Sequence, residues 1–219
     1  MSPRLARGRK THLTPEEIAA EALGQFDRGQ DPSIRSLASA LGVAPTAIYH
    51  HFSSRSAIVD AALGLVWTEA SGEGHRLVEA GEVTDPTEVL VAAALATRRA
   101  FGHHHQIAPF IASTPAANDQ LGANLDLLAA AFESLGLSGE EAGRAFHAYG
   151  SFAIGSTLVL AARLNVGDAG TAAATEDRRQ GDTHGALEGM VDLSYSDPEQ
   201  DEALFVDGLR RLIASFTQS

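Results

Sequence analysis

Residues 33–55, Ser-Ile-Arg-Ser-Leu-Ala-Ser-Ala-Leu-Gly-Val-Ala-Pro-Thr-Ala-Ile-Tyr-His-His-Phe-Ser-Ser-Arg, hold two short helices and the turn between them. Ser33 is placed to cap the first, and Ile34, Leu37, Ala38 and Leu41 follow at i, i+3, i+4 and i+7, the spacing of one helix face. Gly42 stops that helix, because glycine tolerates the left-handed backbone of a tight turn. Pro45 then opens a second helix, in a first turn where no amide partner is needed, with Ile48 and Phe52 four apart on its inner side. Two short helices joined by a glycine-centred turn cross steeply, so a small residue is required at their closest approach. Ala38 supplies it, and Leu37, Leu41, Val43, Ile48 and Phe52 fill the space beneath. This is a helix-turn-helix arrangement. The outward face of its second helix comprises Thr46, Ala47, His50 and His51, with Tyr49 at the edge.

Upstream, Thr14-Pro15-Glu16-Glu17 opens another helix: threonine caps, proline takes the first turn, and Glu17 completes a capping box. Ile18, Ala22 and Phe26 form its buried stripe, and Gly29-Gln30-Asp31-Pro32 ends it. Downstream, a fourth helix starts near Ser54 and runs through Ile58, Ala62, Leu65 and Val66 to about Ala70. The glycine- and acid-rich stretch from Ser71 to Pro86 reads as a boundary or a frayed helix end. Helices are expected over 87–101, 107–113 (short, with Pro109) and 116–135, and from a second capping box at Ser138 and Glu141 to Ala162. Residues 163–197 are rich in Gly, Ala, Asp and Thr with little apolar content, and most are expected to form a mobile loop. Pro198 opens the last helix, with Leu204, Phe205, Leu209, Leu212, Ile213 and Phe216 as its apolar face. Alternating strand patterns are nearly missing, so the chain reads as all-α. A three-helix N-terminal unit occupies residues 1–55 and a helical bundle residues 56–219.

With 219 residues, 44% of them hydrophobic, the chain can bury one or two substantial cores without staples. It has no cysteine, which excludes disulfides, thiolate metal sites and cysteine nucleophiles and fits a reducing compartment. Residues 1–10 are basic without an apolar stretch, unlike a secretory signal. The apolar runs 89–96 and 152–162 fall short of the roughly 20 residues a membrane span needs. A cytoplasmic protein with no membrane partner is expected. The net charge of −12 is unevenly divided: residues 1–55 carry seven Lys and Arg against five Asp and Glu, and 56–219 carry nine against 23. The basic excess lies in an arm, Arg4, Arg7, Arg9 and Lys10, ahead of the first acidic residue, Glu16. Charge acts locally, within a Debye length of about 8–10 Å in physiological salt. The acidic rear half therefore does not exclude a polyanionic partner for the front.

The run from Ser33 to Arg55 closely resembles the DNA-binding domain of the TetR family, over about residues 14–65. The family pattern is a hydrophobic-Ala-Leu-Gly-Val turn, an aromatic-His-Phe close to the recognition helix, and a basic residue opening the next helix. Here Tyr49-His50-His51-Phe52 and Arg55 stand at those places. The resemblance implies that Thr46, Ala47 and His50 face bases in double-stranded DNA, and that Tyr49, His51 and Arg55 bind phosphates. It implies further that Arg35 reaches a base or phosphate, and that the arm, Arg9 and Lys10 included, follows the backbone or minor groove. The chain departs from the pattern at Ala44, which stands at the recognition helix's cap, where Ser or Thr is usual; a lost cap costs about 1 kcal/mol. An alternative role for Tyr49 and His51 is structural, bracing the helices.

For the rear domain the resemblance implies a helical bundle with a ligand pocket, whose last two long helices pair with a second copy. The helix from Ser138 carries Ala145, Ala148, Gly150, Ala153 and Gly155, small enough for close helix approach. A twofold dimer would set two readers on a palindromic operator. The segment from Arg98 to Pro115 resembles the tetracycline-repressor-like branch, where a helix ends at a histidine before a short Pro-containing helix; this implies that His104 and Phe110 border the pocket. Trp67, Phe101, Leu128, Phe146, Tyr149 and Phe152 are further pocket candidates, though each taken singly reads more readily as core than as a ligand contact. Few charges lie among them, so the expected effector is small and largely apolar. His103-His104-His105 is a solvated helix end or, less simply, a metal site, since adjacent helical residues diverge by about 100°. The function this supports is a dimeric repressor, released from its operator by a small molecule, with neither catalytic activity nor a cofactor. Two other functions stay open: a metal-dependent enzyme using the three histidines, and a protein–protein adaptor with a vestigial reader. Against the enzyme, no His-x-x-x-His or His-Glu pair at ligand spacing accompanies the cluster.

Overall fold

Caps written into the sequence set where the first helices start. In the computed structural model, which describes residues 13–113, 119–179 and 198–217, α1 spans Pro15–Asp27 behind a complete capping box. The Thr14 hydroxyl accepts from Glu17 N and the Glu17 carboxylate accepts from Thr14 N, both at 3.2 Å. α2, Ile34–Leu41, is boxed in the same way by Ser33 and Ser36, a second half that the sequence reading missed. α3 is Pro45–Tyr49, and α4 is Arg55–Glu79, capped by Ser54. α5, Pro86–His103, is capped by Asp85 and followed by a 3-10 turn at Ala108–Ser113. α6 spans Asp119–Ser134, α7 Gly139–Arg179 and α8 Pro198–Phe216. The described residues are all-α, as the periodicity indicates.

Two expectations need correction. α4 does not fray after Ala70 but continues for nine more residues. Of the glycines there, a Cβ added at Gly72 would meet nothing within 4 Å, and Gly74 faces α5 and α6, where an added Cβ would make ordinary contact with Ala93 at 3.8 Å and Leu127 at 3.7 Å. The expected loop starting at Arg163 is likewise helical as far as Arg179, with one break at Gly167, whose φ is 76°. Its alanines, arginines and glutamate are good helix formers. Residues 180–197 of the expected loop lie outside the described residues.

Two apolar cores hold the helices. The first gathers Ile18, Ala22 and Phe26 of α1, Leu37 and Ala38 of α2, Ile48 of α3 and Ile58, Ala62, Leu63 and Val66 of α4. It continues through Phe101 and Ile107 to Ala161 of α7, so it spans both sides of position 55. The second joins α5 (Val89, Leu90), α6 (Leu128, Phe132), α7 (Tyr149, Ala153) and α8 (Phe205, Leu209, Ile213). Within it the Tyr149 hydroxyl donates to Leu90 O at 2.8 Å, and burial pushes the phenol above its ordinary pKa, so the proton stays on the oxygen. Gly139–Gly167 is long and apolar enough on average to cross a membrane, a stretch longer than the sequence runs suggest. Its first turn carries Glu140 and Glu141. Its buried apolar positions serve both cores, Ala145, Tyr149 and Ala153 the second and Ala161 the first, the use expected of a packed helix.

Candidate nucleic-acid interface

The turn that presents the recognition helix is built by Gly42 and Val43. Gly42 sits at φ 70°, and Val43 N returns to Ala38 O at 2.9 Å, closing α2. Nothing would touch a Cβ at Gly42, so the only penalty for a side chain is conformational. Gly42→Ala is expected to lower stability by about 1–2 kcal/mol, the usual penalty of an L-residue in the left-handed region, readable by urea denaturation. Ala44, which begins α3, has the extended backbone of a cap but makes no side-chain cap hydrogen bond. Ala44→Ser is expected to stabilise the reader by about 0.5–1 kcal/mol, seen as a higher unfolding midpoint. An unchanged midpoint would show that the helix start is already satisfied.

α3 has only five residues, and its Ile48 is fully buried in the first core with Leu37 and Ala38 of α2. Past it, His51 N and Phe52 N both donate to Ile48 O at 3.0 Å, turning the chain toward α4. This leaves Thr46, Tyr49, His50 and His51 exposed together, with Ala47 half-buried against the first core. Tyr49 is 57% exposed, so neither it nor the exposed His51 braces the helices from inside. Arg35 is exposed on α2, while Arg9 and Lys10 lie outside the described residues. Glu16 has a lowered pKa, chiefly through backbone hydrogen bonding at the start of α1 and through the Thr14 hydroxyl, with a smaller contribution from His51.

Arg55 is held differently from the rest of the set. Its Nε donates to Pro32 O at 2.9 Å, a second N–H pairs with Asp31, and its guanidinium lies 5.8 Å from the Phe110 ring centre. It thus connects the α1–α2 turn, the start of α4 and the 3-10 turn after α5.

The pocket candidates do not gather in one place. Trp67 meets Phe101 edge-on at 4.9 Å, and Phe110 packs on Phe26 of α1 at 5.3 Å, all against or within the first core. Leu128, Tyr149 and Phe152 belong to the second core or pack against it, with Phe152 stacked on Phe205 at 5.7 Å. Phe146 is exposed, on a surface groove of about 270 Å³ shared with Leu125, Ala129 and Ala142. His104 is buried, with Nδ1 2.8 Å from Asp27 Oδ1 and Nε2 3.3 Å from Glu69 Oε2. It links α5 to α1 and α4, a role that no local spacing signals because its partners lie 77 and 35 residues away. His103 meets the His104 ring edge-on, and His105 pairs with Asn165 on α7 at 2.8 Å. The three histidines therefore diverge, and among the described residues no three side chains of metal-ligating type converge.

Residues 26–62 match the model of the bacterial regulatory proteins of the tetR family. A search of curated proteins finds no match. Among solved structures, a possible TetR family transcriptional regulator from Streptomyces coelicolor aligns with a TM-score of 0.78 at 22% identity, over 92% of this chain and 98% of that one. The S. coelicolor TetR family protein ActR, in complex with actinorhodin, aligns at 0.73 with 19% identity over 95% and 100%. A TetR variant from Acinetobacter baumannii, in complex with minocycline, aligns at 0.66 with 22% identity over 93% of each chain. The reader's sequence thus matches the tetR-family model over residues 26–62, and the likeness of fold to TetR family structures extends over nearly the whole chain.

Proposed function

We propose that the chain is a dimeric repressor that leaves a palindromic operator when a small, largely apolar molecule binds its rear domain. The observation that carries this reading is the shared exposure of Thr46 and Tyr49 on α3 and of His50 and His51 directly after it, above the fully buried Ile48. Thr46, Ala47 and His50 would read base edges in the major groove, and Tyr49, His51 and Arg35 would hold phosphates, assisted by Arg9 and Lys10. Dimerisation is supported by an exposed stripe on α7, Gly155, Val159, Ala162 and Val166, at i, i+4, i+7 and i+11. Leu204 on α8 is also 38% exposed, more apolar surface than one subunit uses.

The rear-domain ligand is supported by the neighbours solved with actinorhodin and with minocycline. α4 is the natural transmitter, since its first half lies in the reader's core and it continues against α5 and α6. A ligand shifts the readers only if it prefers the arrangement with the wrong spacing. An electrophoretic shift with the DNA upstream of the chain's own gene tests the reading. A shift at low salt, reversed by an apolar compound, is expected; no shift at low salt would remove DNA binding from the account.

A further inference from the structure

Arg55 stands where the TetR pattern places a phosphate-binding basic residue, but two of its donors are already engaged, by Pro32 O and by Asp31. We propose that Arg55 is a positioning residue, one that fixes the reader against the rear domain through Phe110, rather than a phosphate ligand. The proposal rests on the DNA-binding reading above and deepens it.

Three contacts converge on this side chain. Nε donates to Pro32 O at 2.9 Å and another N–H pairs with Asp31, so the guanidinium closes the α1–α2 turn directly ahead of the helix-turn-helix. Its face lies 5.8 Å from the centre of the Phe110 ring, which packs on Phe26 of α1 at 5.3 Å. Phe110 belongs to the 3-10 turn that follows α5, in the rear half of the chain. One aromatic ring from that half is therefore seated between α1 and the first residue of α4. A planar guanidinium suits this place and an ammonium does not: it can donate sideways to a carbonyl and a carboxylate while offering its face to a ring. The pairing with Asp31, at the surface, also places an opposite charge beside it.

Counterion release separates the two roles. A side chain that neutralises a phosphate contributes about 0.9 to the slope of log K against log salt, and one that only positions the reader contributes nothing to it. Full-length wild type, Arg55→Lys, Arg55→Met and Phe110→Leu would be titrated onto operator DNA at four salt concentrations, after circular dichroism has shown native helicity. The expected result is that Arg55→Lys and Arg55→Met both weaken binding about tenfold with the wild-type slope, because lysine keeps the charge and loses the fork. Phe110→Leu, remote from any DNA contact, should weaken binding as well, and its effect should not add to that of Arg55→Met. Wild-type affinity for Arg55→Lys, with a slope smaller by about 0.9 for Arg55→Met, would overturn the proposal. If wild type binds no DNA, the regulatory reading falls, and a double-mutant cycle on unfolding midpoints decides the Arg55–Phe110 coupling: additive effects overturn it, non-additive effects support it.

Discussion

Thr46→Glu is expected to lower operator affinity more than 100-fold while leaving the fold unchanged. Thr46 is exposed in the first turn of α3 and makes no contact needed by the core, so the folded chain has room for glutamate. A carboxylate in the first turn of a helix is favoured by the dipole, and stability should hold or rise slightly. Against DNA the same charge meets a polyanion at close range, where like-charge juxtaposition costs several kcal/mol. Fluorescence anisotropy at one fixed salt concentration, paired with a melting curve, measures both effects. Thr46→Ser, which keeps the hydroxyl, should stay close to wild type. Binding by the glutamate variant within a few-fold of wild type would mean that α3 does not face the groove.

The largest effect on stability is expected at Arg98. Its side chain is 5% exposed, and one N–H group pairs with Asp201 of α8. Nη1 donates to Ser156 O at 2.8 Å and lies 2.7 Å from Ser156 Oγ, and the guanidinium sits 4.8 Å from the centre of the Phe205 ring. This one side chain ties α5 to α7 and α8. Burial of such a pair yields little net stability, because desolvation offsets most of the attraction. Breaking it is another matter. Arg98→Met leaves Asp201 largely buried with Arg163 as its remaining described partner, at 2.8 Å, and should destabilise the chain by about 3–5 kcal/mol in urea denaturation at fixed protein concentration. The double replacement Arg98→Met with Asp201→Leu removes both charges and should recover most of the loss. A single variant within 1 kcal/mol of wild type would show that the pair is solvated in solution.

The reader was legible in the sequence because everything that specifies it is local. Ser33, Ala38, Gly42 and Ile48 act within a few residues of one another, through a cap, a helix crossing, a left-handed turn and a buried face. Where glycines entered a helix, the same logic misread them: Gly72 and Gly74 look like breakers, yet α4 passes through both, with Gly74 packed against α5. The segment after Ala162 reads as a loop because its sequence is poor in apolar residues, although its alanine content suits the helix that runs to Arg179. Contacts between distant parts of the chain left no mark in spacing. His104 with Asp27 and Phe110 with Phe26 join the two halves, and Arg55 with Pro32 joins the α1–α2 turn to α4; no local pattern signals any of them. The eight pocket candidates show the same limit. Aromatic residues on apolar helices identify core, and only packing divides them between two cores and a surface groove.

The most direct test of the central claim is a hydroxyl-radical footprint of the full-length chain on the DNA upstream of its own gene, in low salt. Two protected half-sites related by a twofold axis are expected, about one helical turn or a whole multiple of it apart, roughly 34–36 Å per turn. They should be lost together in Thr46→Glu. Protection of a single unsymmetrical patch, or none at protein concentrations that saturate non-specific DNA, would contradict a paired reader.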